Sequence, residues 1–204
     1  MWTVALRFPL RCSKVTPKVQ TSQTRCFWEY VNKMFNEPDA ERIKQVGPDR
    51  ACAEWVLRNG GTVEWVGGQK VANYNLLPTS YSQVPKLAVI DATDASISHY
   101  GFSHLIGCTK LYKIILHNSS YIDDRALKGL SFGKDSLTHI QVSQIADVSD
   151  AGIKDIKDCH KLQNLVLFDL NNVNDLEECK QYLAKHLPNC KIQGVADEVK
   201  EKSS

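Results

Sequence analysis

Four copies of one pattern of aliphatic residues constrain the fold of this chain more than any other feature. The opening leucines of the copies are 24, 26 and 25 residues apart. The copies are Leu87-x-x-Ile90-x-Ala92, Leu111-x-x-Ile114-x-Leu116, Leu137-x-x-Ile140-x-Val142 and Leu162-x-x-Leu165-x-Leu167. This period and this core predict leucine-rich repeats, in which each unit adds one strand and one helix to a solenoid.

The residues that alternate with these aliphatic positions are predicted to form the concave face of the solenoid. Side chains alternate between the two faces of a strand, and neighbouring strands lie about 4.8 Å apart, so the exposed residues form one continuous surface. We predict that this surface binds a partner. Its predicted residues are Val89, Asp91, Lys113, Ile115, His117, His139, Gln141, Ser143, Asn164, Val166 and Phe168.

Residues 27–80 are predicted to form a helical cap with a short hairpin, which covers the open end of the first repeat. Phe27, Val31, Met34 and Phe35 fall on one face of a helix that Pro38 interrupts. A further helix begins at Pro48 and ends at Asn59-Gly60-Gly61, and Gly67-Gly68 forms the hairpin turn. The repeats occupy residues 81–194, where 191–193 add a fifth strand, and residues 195–204 are predicted to be a disordered tail.

The first 25 residues differ in charge from the rest of the chain. They contain five basic residues and no acidic one, and the first acidic residue is Glu29. Arg7 and Arg11 interrupt the apolar residues, so a secretory signal is not expected. This composition is typical of a mitochondrial presequence, which we predict over residues 1–26, with a disordered basic tail as the alternative.

A fusion of residues 1–30 to a fluorescent reporter is expected to enter mitochondria, because the segment has the charge pattern of a presequence. Microscopy with a mitochondrial dye measures the location, and the reporter without the segment is the control. A fusion that stays in the cytosol contradicts the presequence.

The bulk properties exclude several other classes of protein. Hydrophobic residues make up 43% of the chain, charged residues 24%, and the net charge is +2, which gives no reason to expect a nucleic-acid partner. No stretch of roughly 18 apolar residues occurs, so no transmembrane helix is expected. The seven cysteines form no C-x-x-C pair, and we expect free thiols.

The sequence contains no pattern that predicts an enzyme. Residues 129–133 match the G-x-S-x-G string of hydrolases, but a helix is predicted before the serine and a strand after it, which is the reverse of a nucleophile elbow. The six histidines are scattered. Asp91 and Asp94 flank Thr93 after the first strand, where a turn is the preferred interpretation and an oxygen-rich cation site the alternative.

Several stretches together resemble one known family. They are residues 27–36, 42–51 and 54–58, continued by Tyr74-Asn75-x-Leu77-Pro78-Thr79, 90–94 with 101–104, and 121–124. The run Val46-Gly47-Pro48-Asp49-Arg50-Ala51 followed by Glu54-Trp55 is the most specific part. Over residues 27–190 the chain resembles the mitochondrial ATP synthase coupling factor B family, also called ATP synthase subunit s.

The resemblance implies a peripheral protein on the matrix side of the mitochondrial inner membrane, associated with the membrane sector of the proton-translocating ATP synthase. Related proteins are tied to the assembly of respiratory complex I. The family is described with a Mg²⁺ ion where the cap meets the first repeat, and by motif its positions carry over to Gly60 and Thr93. A C-x-C pair of the family is replaced here by His117-Asn118-Ser119, which puts any thiol-dependent role of that pair in doubt.

We therefore predict an α/β leucine-rich-repeat solenoid with four to five parallel strands behind an N-terminal helical cap. Its predicted function is that of a non-enzymatic coupling factor associated with ATP synthase. An assembly factor for complex I that uses the same face is the first alternative. The second is an F-box-type substrate receptor, although residues 27–60 lack a convincing F-box pattern and a presequence argues against a cytosolic ligase.

Overall fold

A mostly parallel sheet of seven strands organises the computed structural model, which describes residues 21–78 and 84–194. The strands are β1 (Thr62–Trp65), β2 (Lys70–Val71), β3 (Leu87–Asp91), β4 (Lys113–His117), β5 (His139–Ser143), β6 (Asn164–Phe168) and β7 (Lys191–Gln193). Their order in the sheet is β2-β1-β3-β4-β5-β6-β7, with β1 antiparallel to both of its neighbours and β3 to β7 parallel. The presequence predicted over residues 1–26 falls largely outside the described ranges, and the tail predicted over 195–204 falls wholly outside them.

Helices precede the sheet and connect its parallel strands. They are α1 (Thr21–Asn36), α2 (Ala40–Val46), α3 (Pro48–Arg58), α4 (Asp124–Gly129), α5 (Asp150–Asp155) and α6 (Leu176–His186), with a 3-10 helix at His99–Leu105 in the connection from β3 to β4. Helix α3 begins at Pro48 as predicted, and the carboxylates of Asp123 and Asp175 accept backbone N–H groups at the starts of α4 and α6. No helix within the described ranges is long and apolar enough to cross a membrane.

The repeated aliphatic positions form the core between the sheet and the helices. Each opening leucine is buried, as are the residues three and five positions later. The strand pairing aligns Ile90, Ile114, Ile140 and Leu165 with one another across four parallel strands. The predicted fifth strand is confirmed, since Ile192 pairs with Leu165 on the other side.

The backbone adopts the same left-handed conformation shortly after each of the strands β3 to β6. Within residues 21–78 and 84–194, the non-glycine residues with positive φ are Asp94, Asn118, Gln144 and Asp169, at 49° to 55°. They are 24, 26 and 25 residues apart, which repeats the intervals between the opening leucines. Because the amides of Asp94, Asn118 and Gln144 each donate to a carbonyl of the next strand, the turn continues the hydrogen bonding of the sheet beyond the strands.

Carboxylates also join the start of one helix to the start of the next. Asp124 accepts hydrogen bonds from the amide and hydroxyl of Ser149, at 2.8 and 2.6 Å. In the same way, Asp150 at the start of α5 accepts hydrogen bonds from the amides of Asn174 and Asp175, at 3.2 and 3.0 Å. These backbone hydrogen bonds lower the pKa of Asp150 well below its usual range. Successive units are thus tied together on the helix side as well as in the sheet.

The apolar face of α1 points away from the protein rather than into it. Phe27, Met34 and Phe35 are exposed, although the spacing of these residues suggests a buried stripe. Asn32 and Asn36, on the opposite side of the helix, are the buried residues. The helix is therefore held by polar contacts, and its aromatic side chains face the solvent.

The predicted hairpin is part of the main sheet. Its first strand, β1, pairs with β3 from Thr62–Asp91 to Trp65–Leu87, and β2 forms the outer edge. Val63 and Trp65 point into the core while Thr62 and Glu64 face the other side. The hairpin therefore extends the predicted face by two strands.

Replacing Leu137 by alanine is expected to lower the free energy of unfolding by about 2–5 kcal/mol, because its side chain is buried in the core. Chemical denaturation followed by circular dichroism measures the loss. The matched control is Leu76→Ala, since Leu76 is 68% exposed and should change stability by less than about 0.5 kcal/mol. Equal losses for the two variants would contradict the register of the core.

Candidate functional site

The strand pairing arranges the predicted binding residues in side-by-side rows. One row runs from Val89 through Lys113, His139 and Asn164. A second contains Asp91, Ile115, Gln141 and Val166, and a third contains His117, Ser143 and Phe168. Except for Ser143, these side chains are half-buried, so the face offers both apolar and polar groups to a partner.

Hydrogen bonds fix the ring of His139 at the middle of the first row. The Asn164 side-chain amide donates to His139 Nε2 at 2.9 Å, so the proton of the neutral ring is on Nδ1. That nitrogen donates to the hydroxyl of Thr138 at 2.8 Å. The edge of Tyr112 meets the imidazole ring, with 5.8 Å between ring centroids. The ring orientation is thus set before any partner arrives.

Ser143 departs from the prediction because its side chain is fully buried. Its hydroxyl lies 2.8 Å from His117 Nδ1 and accepts a hydrogen bond from the Gln141 amide at 3.0 Å. His117 in turn lies 6.2 Å from the Phe168 ring. Ser143 therefore supports neighbouring side chains on the face and presents no atom to a partner.

Residues of β1 and β2 extend the face beyond the predicted rows. Glu64 lies beside Val89 in the sheet and its carboxylate is 3.8 Å from the ammonium group of Lys70. A cavity of about 130 Å³ lies between these residues and Tyr112 and Lys113. The alternation of polar and apolar residues at 62–65 predicts a strand. It does not indicate with which other strand this one pairs.

Gly60 and Thr93, the predicted metal positions, each lie two residues beyond the last pair of the β1–β3 ladder, which joins Thr62 to Asp91. The neighbouring Gly61 packs against the carbonyl oxygen of Asp91, which a Cβ atom would approach to 3.0 Å. The side chain of Asp91 is turned to Thr93, whose amide and hydroxyl donate to it at 3.1 and 2.7 Å.

The oxygen donors at this junction include the carboxylate of Asp91 as well as main-chain carbonyls. Within residues 21–78 and 84–194, no group of three or more His, Cys, Asp or Glu side chains is arranged to hold a metal ion. Hard cations such as Mg²⁺ bind carbonyl oxygens and keep several waters. Gly60 has no side chain and the Thr93 hydroxyl donates to Asp91, so both positions would offer an ion their main-chain oxygens.

Asn36 joins the cap to the first repeat. Its side-chain oxygen accepts hydrogen bonds from the Trp55 indole and the Ser98 amide, both at 2.9 Å. Its side-chain nitrogen donates to the carbonyl of Ser96 at 3.2 Å, and the whole residue is buried. His104 stacks on Trp55 with 5.3 Å between centroids, and burial, helped by the charge of Arg58, lowers the pKa of His104 to about 4. The His104 ring is therefore uncharged at neutral pH.

Residues 46–51, which include the start of α3, contain a second set of polar contacts to the sheet. Asp49 accepts the Leu87 amide at 3.0 Å and pairs with Lys86 at 2.8 Å, which ties α3 to the start of β3. Glu54 pairs with Arg42 at 2.7 Å and with Arg50 at 2.8 Å. Burial alone would raise the pKa of Glu54, but the two guanidinium groups outweigh it and lower the pKa. This motif therefore has a structural role.

The described cysteines are free and most are buried. Burial raises the pKa of Cys159 to about 12 and that of Cys179 to about 11, so both stay protonated at neutral pH. At the site of the family's C-x-C pair, the Ser119 hydroxyl is buried and donates to the Ala92 carbonyl at 2.6 Å. The Ser131 string ends a helical segment before β5, so it has the reverse order of a nucleophile elbow.

Proteins with established names resemble the chain over most of its length. "ATP synthase subunit s, mitochondrial" of Rattus norvegicus is 38% identical over 174 residues, which cover 83% of this chain and 87% of the rat protein. The proteins of the same name from Mus musculus and Homo sapiens are 37% and 34% identical over the same shares. No family model matches the chain.

Proposed function

The chain belongs to the mitochondrial ATP synthase subunit s family, also called coupling factor B, and we propose that it is a non-enzymatic coupling factor of the proton-translocating ATP synthase. The name of the relatives supports association with that complex in mitochondria. We further propose that the protein is peripheral to the inner membrane on the matrix side and that residues 1–26 are its presequence. The charge pattern of residues 1–25 supports import.

We infer that the repeated units are leucine-rich repeats. The leucine intervals support this, as does the recurrence of the left-handed residue at the same intervals. Parallel strands in one register with a helical segment after each strand are typical of such a solenoid. The antiparallel hairpin and α1 to α3 then act as the N-terminal cap of the stack.

The single observation that carries the binding role is the continuous face of β3 to β6. Its rows combine an ammonium group at Lys113, an oriented imidazole at His139 and an apolar ring at Phe168. Aromatic side chains and fixed polar groups are typical of the centre of protein interfaces. Phe168 is half-buried beside His117 at the end of β6, so part of its ring is open to a partner. The membrane sector of ATP synthase is the proposed partner.

Combining Lys113→Glu with Phe168→Ala is expected to weaken partner recovery about tenfold, because the change reverses one charge and removes one aromatic anchor at the face. Crosslinking in intact mitochondria followed by mass spectrometry measures recovery and identifies the partner. ATP synthase subunits are expected. Recovery of complex I subunits in their place would support the alternative role as an assembly factor for that complex.

The matched control for this double variant is Lys128→Glu with Phe132→Ala. Lys128 and Phe132 are exposed residues of the helical layer, away from the strand face, and the control makes the same chemical changes. Both variants should keep the circular dichroism spectrum of the unmodified protein. Equal recovery of the partner with the two variants would show that the interface does not lie on the strand face.

We propose a Mg²⁺ site at the junction of cap and repeats, formed by the main-chain oxygens of Gly60 and Thr93. Their position supports it, since both residues lie two positions beyond the last pair of the β1–β3 ladder, Thr62 with Asp91. Gly60 has a φ of 87°, a conformation that other residues rarely adopt. When bound, the ion would supply a positive charge that links the two segments and fixes the loop after β3.

Adding MgCl₂ is expected to raise the melting temperature of the metal-free protein, because an ion that binds only the folded state stabilises it. Gly60→Ala should abolish the rise, since alanine is strained at this φ and shifts the carbonyl. Gly67→Ala is the matched control: Gly67 has a φ of 109° in the hairpin turn and, like Gly60, has open space around a Cβ atom. No rise in the unmodified protein would exclude the site.

A further inference from the structure

A second candidate site lies outside the strand face, at the edge where the parallel strands end. A cavity of about 390 Å³ opens between α1 and the loops that follow β3 and β4. Trp28, Tyr100 and Tyr121 contribute its aromatic lining, and Trp28 is 60% exposed. None of the predicted face residues lines it. The size is within the range of ligand-binding pockets, and aromatic lining is typical of them.

The charged groups at this cavity are mainly acidic. Glu29, Asp123 and Asp147 line it together with one arginine, Arg125. Arg125 pairs with Asp123 at 2.6 Å, whereas Glu29 and Asp147 form no ion pair with any of the described residues. His99 lies 3.7 Å from Asp123, but burial lowers its pKa, so the ring carries little charge at neutral pH. Two carboxylates are thus available to a cationic ligand.

The hydroxyl of Ser98 provides an independent indication of a ligand. Ser98 is 3% exposed and lines the cavity, and its hydroxyl oxygen has no hydrogen-bond partner among the described residues. Buried polar atoms are nearly always hydrogen-bonded, so an unpaired one at a cavity wall calls for a partner from outside. A hydroxyl oxygen accepts from an ammonium or guanidinium group, which carries only donors.

The aromatic side chains also suit a cation. Lys33 already lies over the ring of Tyr100, with its ammonium nitrogen 5.5 Å from the centroid. Trp28 and Tyr121 remain exposed on the other walls of the cavity. Cations bind to the faces of such rings, and tryptophan binds them best. A guanidinium or ammonium group can therefore contact rings and carboxylates within one cavity, beside the wall that contains the Ser98 hydroxyl.

The acidic character continues along the whole loop edge. The loops after the four strands β3 to β6 span residues 92–98, 118–123, 144–149 and 169–175. They contain five Asp residues and no Glu, Lys or Arg. Two of these carboxylates, Asp123 and Asp175, also cap the helices that follow their loops. A row of this length fits an extended chain better than a single small ion.

We propose that this loop edge binds a basic polypeptide segment, one of whose arginine or lysine side chains enters the cavity beside Trp28, Glu29, Ser98, Tyr121 and Asp147. The remaining basic residues of the segment lie along the acidic loops. The site adds a second contact surface to the proposed coupling factor, at the edge of the sheet and not on its face. Its ligand is defined by positive charge on an extended chain.

The test uses the full ¹⁵N-labelled chain and a blocked peptide of alternating glycine and arginine. The same peptide with citrulline at every arginine removes the charge and keeps the shape. The arginine peptide is expected to shift the NMR signals of the Trp28 indole and of the Ser98 and Tyr121 amides, and the citrulline peptide is not. Glu29→Gln with Asp147→Asn should weaken binding about tenfold. Ser98→Ala should weaken it without loss of stability, because the hydroxyl has no internal partner.

Glu37→Gln with Glu41→Gln is the matched control, since it removes two exposed carboxylates outside the loop edge and changes the net charge equally. It should leave binding nearly unchanged. A loss equal to that of the cavity variant would show general charge attraction and overturn the proposal. Equal binding of the citrulline peptide, or shifts confined to the strand face, would overturn it as well. Because the assay contains no ATP synthase, its outcome is independent of the partner proposed for the face.

Discussion

The in-register stacking of parallel strands is the constraint on which the rest of this structure depends. Ile90, Ile114, Ile140 and Leu165 pair across four strands, so each repeat buries its aliphatic residues against those of the next. A shift by one residue would turn every buried side chain to the open face. The rows of Lys113, His139 and Phe168 follow from the same register, since fixing one face of a strand fixes the other. The same strand pairing therefore determines both the core and the candidate interface.

Polar side chains attach α1 and α3 to the first repeat, whereas aliphatic side chains hold the repeated units together. Asn36 and Asp49 satisfy buried amides of the first repeat, where a leucine would leave those donors without partners. This polar junction explains why α1 can present its aromatic residues to solvent and still remain attached. It also brings Trp28 and Glu29 over the loops of the second unit, which creates the acidic cavity. The orientation of one helix thus links the stability of the cap to a separate candidate site.

Features set by residues that are close together in the sequence were predictable from it. Features that depend on residues far apart in the sequence were not. The strands, the hairpin turn and the helix N-caps follow from spacing and turn residues within about ten positions. The burial of Asn36 depends on Trp55 and Ser98, and that of Ser143 on His117, which lies in another repeat. The pairing of β1 with β3 is equally non-local. The cavity around Ser98 combines residues from segments up to about a hundred positions apart, so no sequence window contains it.

The two ends of the sheet have a consequence for how the protein associates. The outer strands are β2, with two residues, and β7, with three, and each carries a lysine, Lys70 and Lys191. Short, charged edge strands are poor templates for a further strand. An incoming chain would gain few backbone hydrogen bonds there, so the extension of one sheet by a second copy is unfavourable. The stack has a defined length, and growth by strand addition is disfavoured at both of its edges.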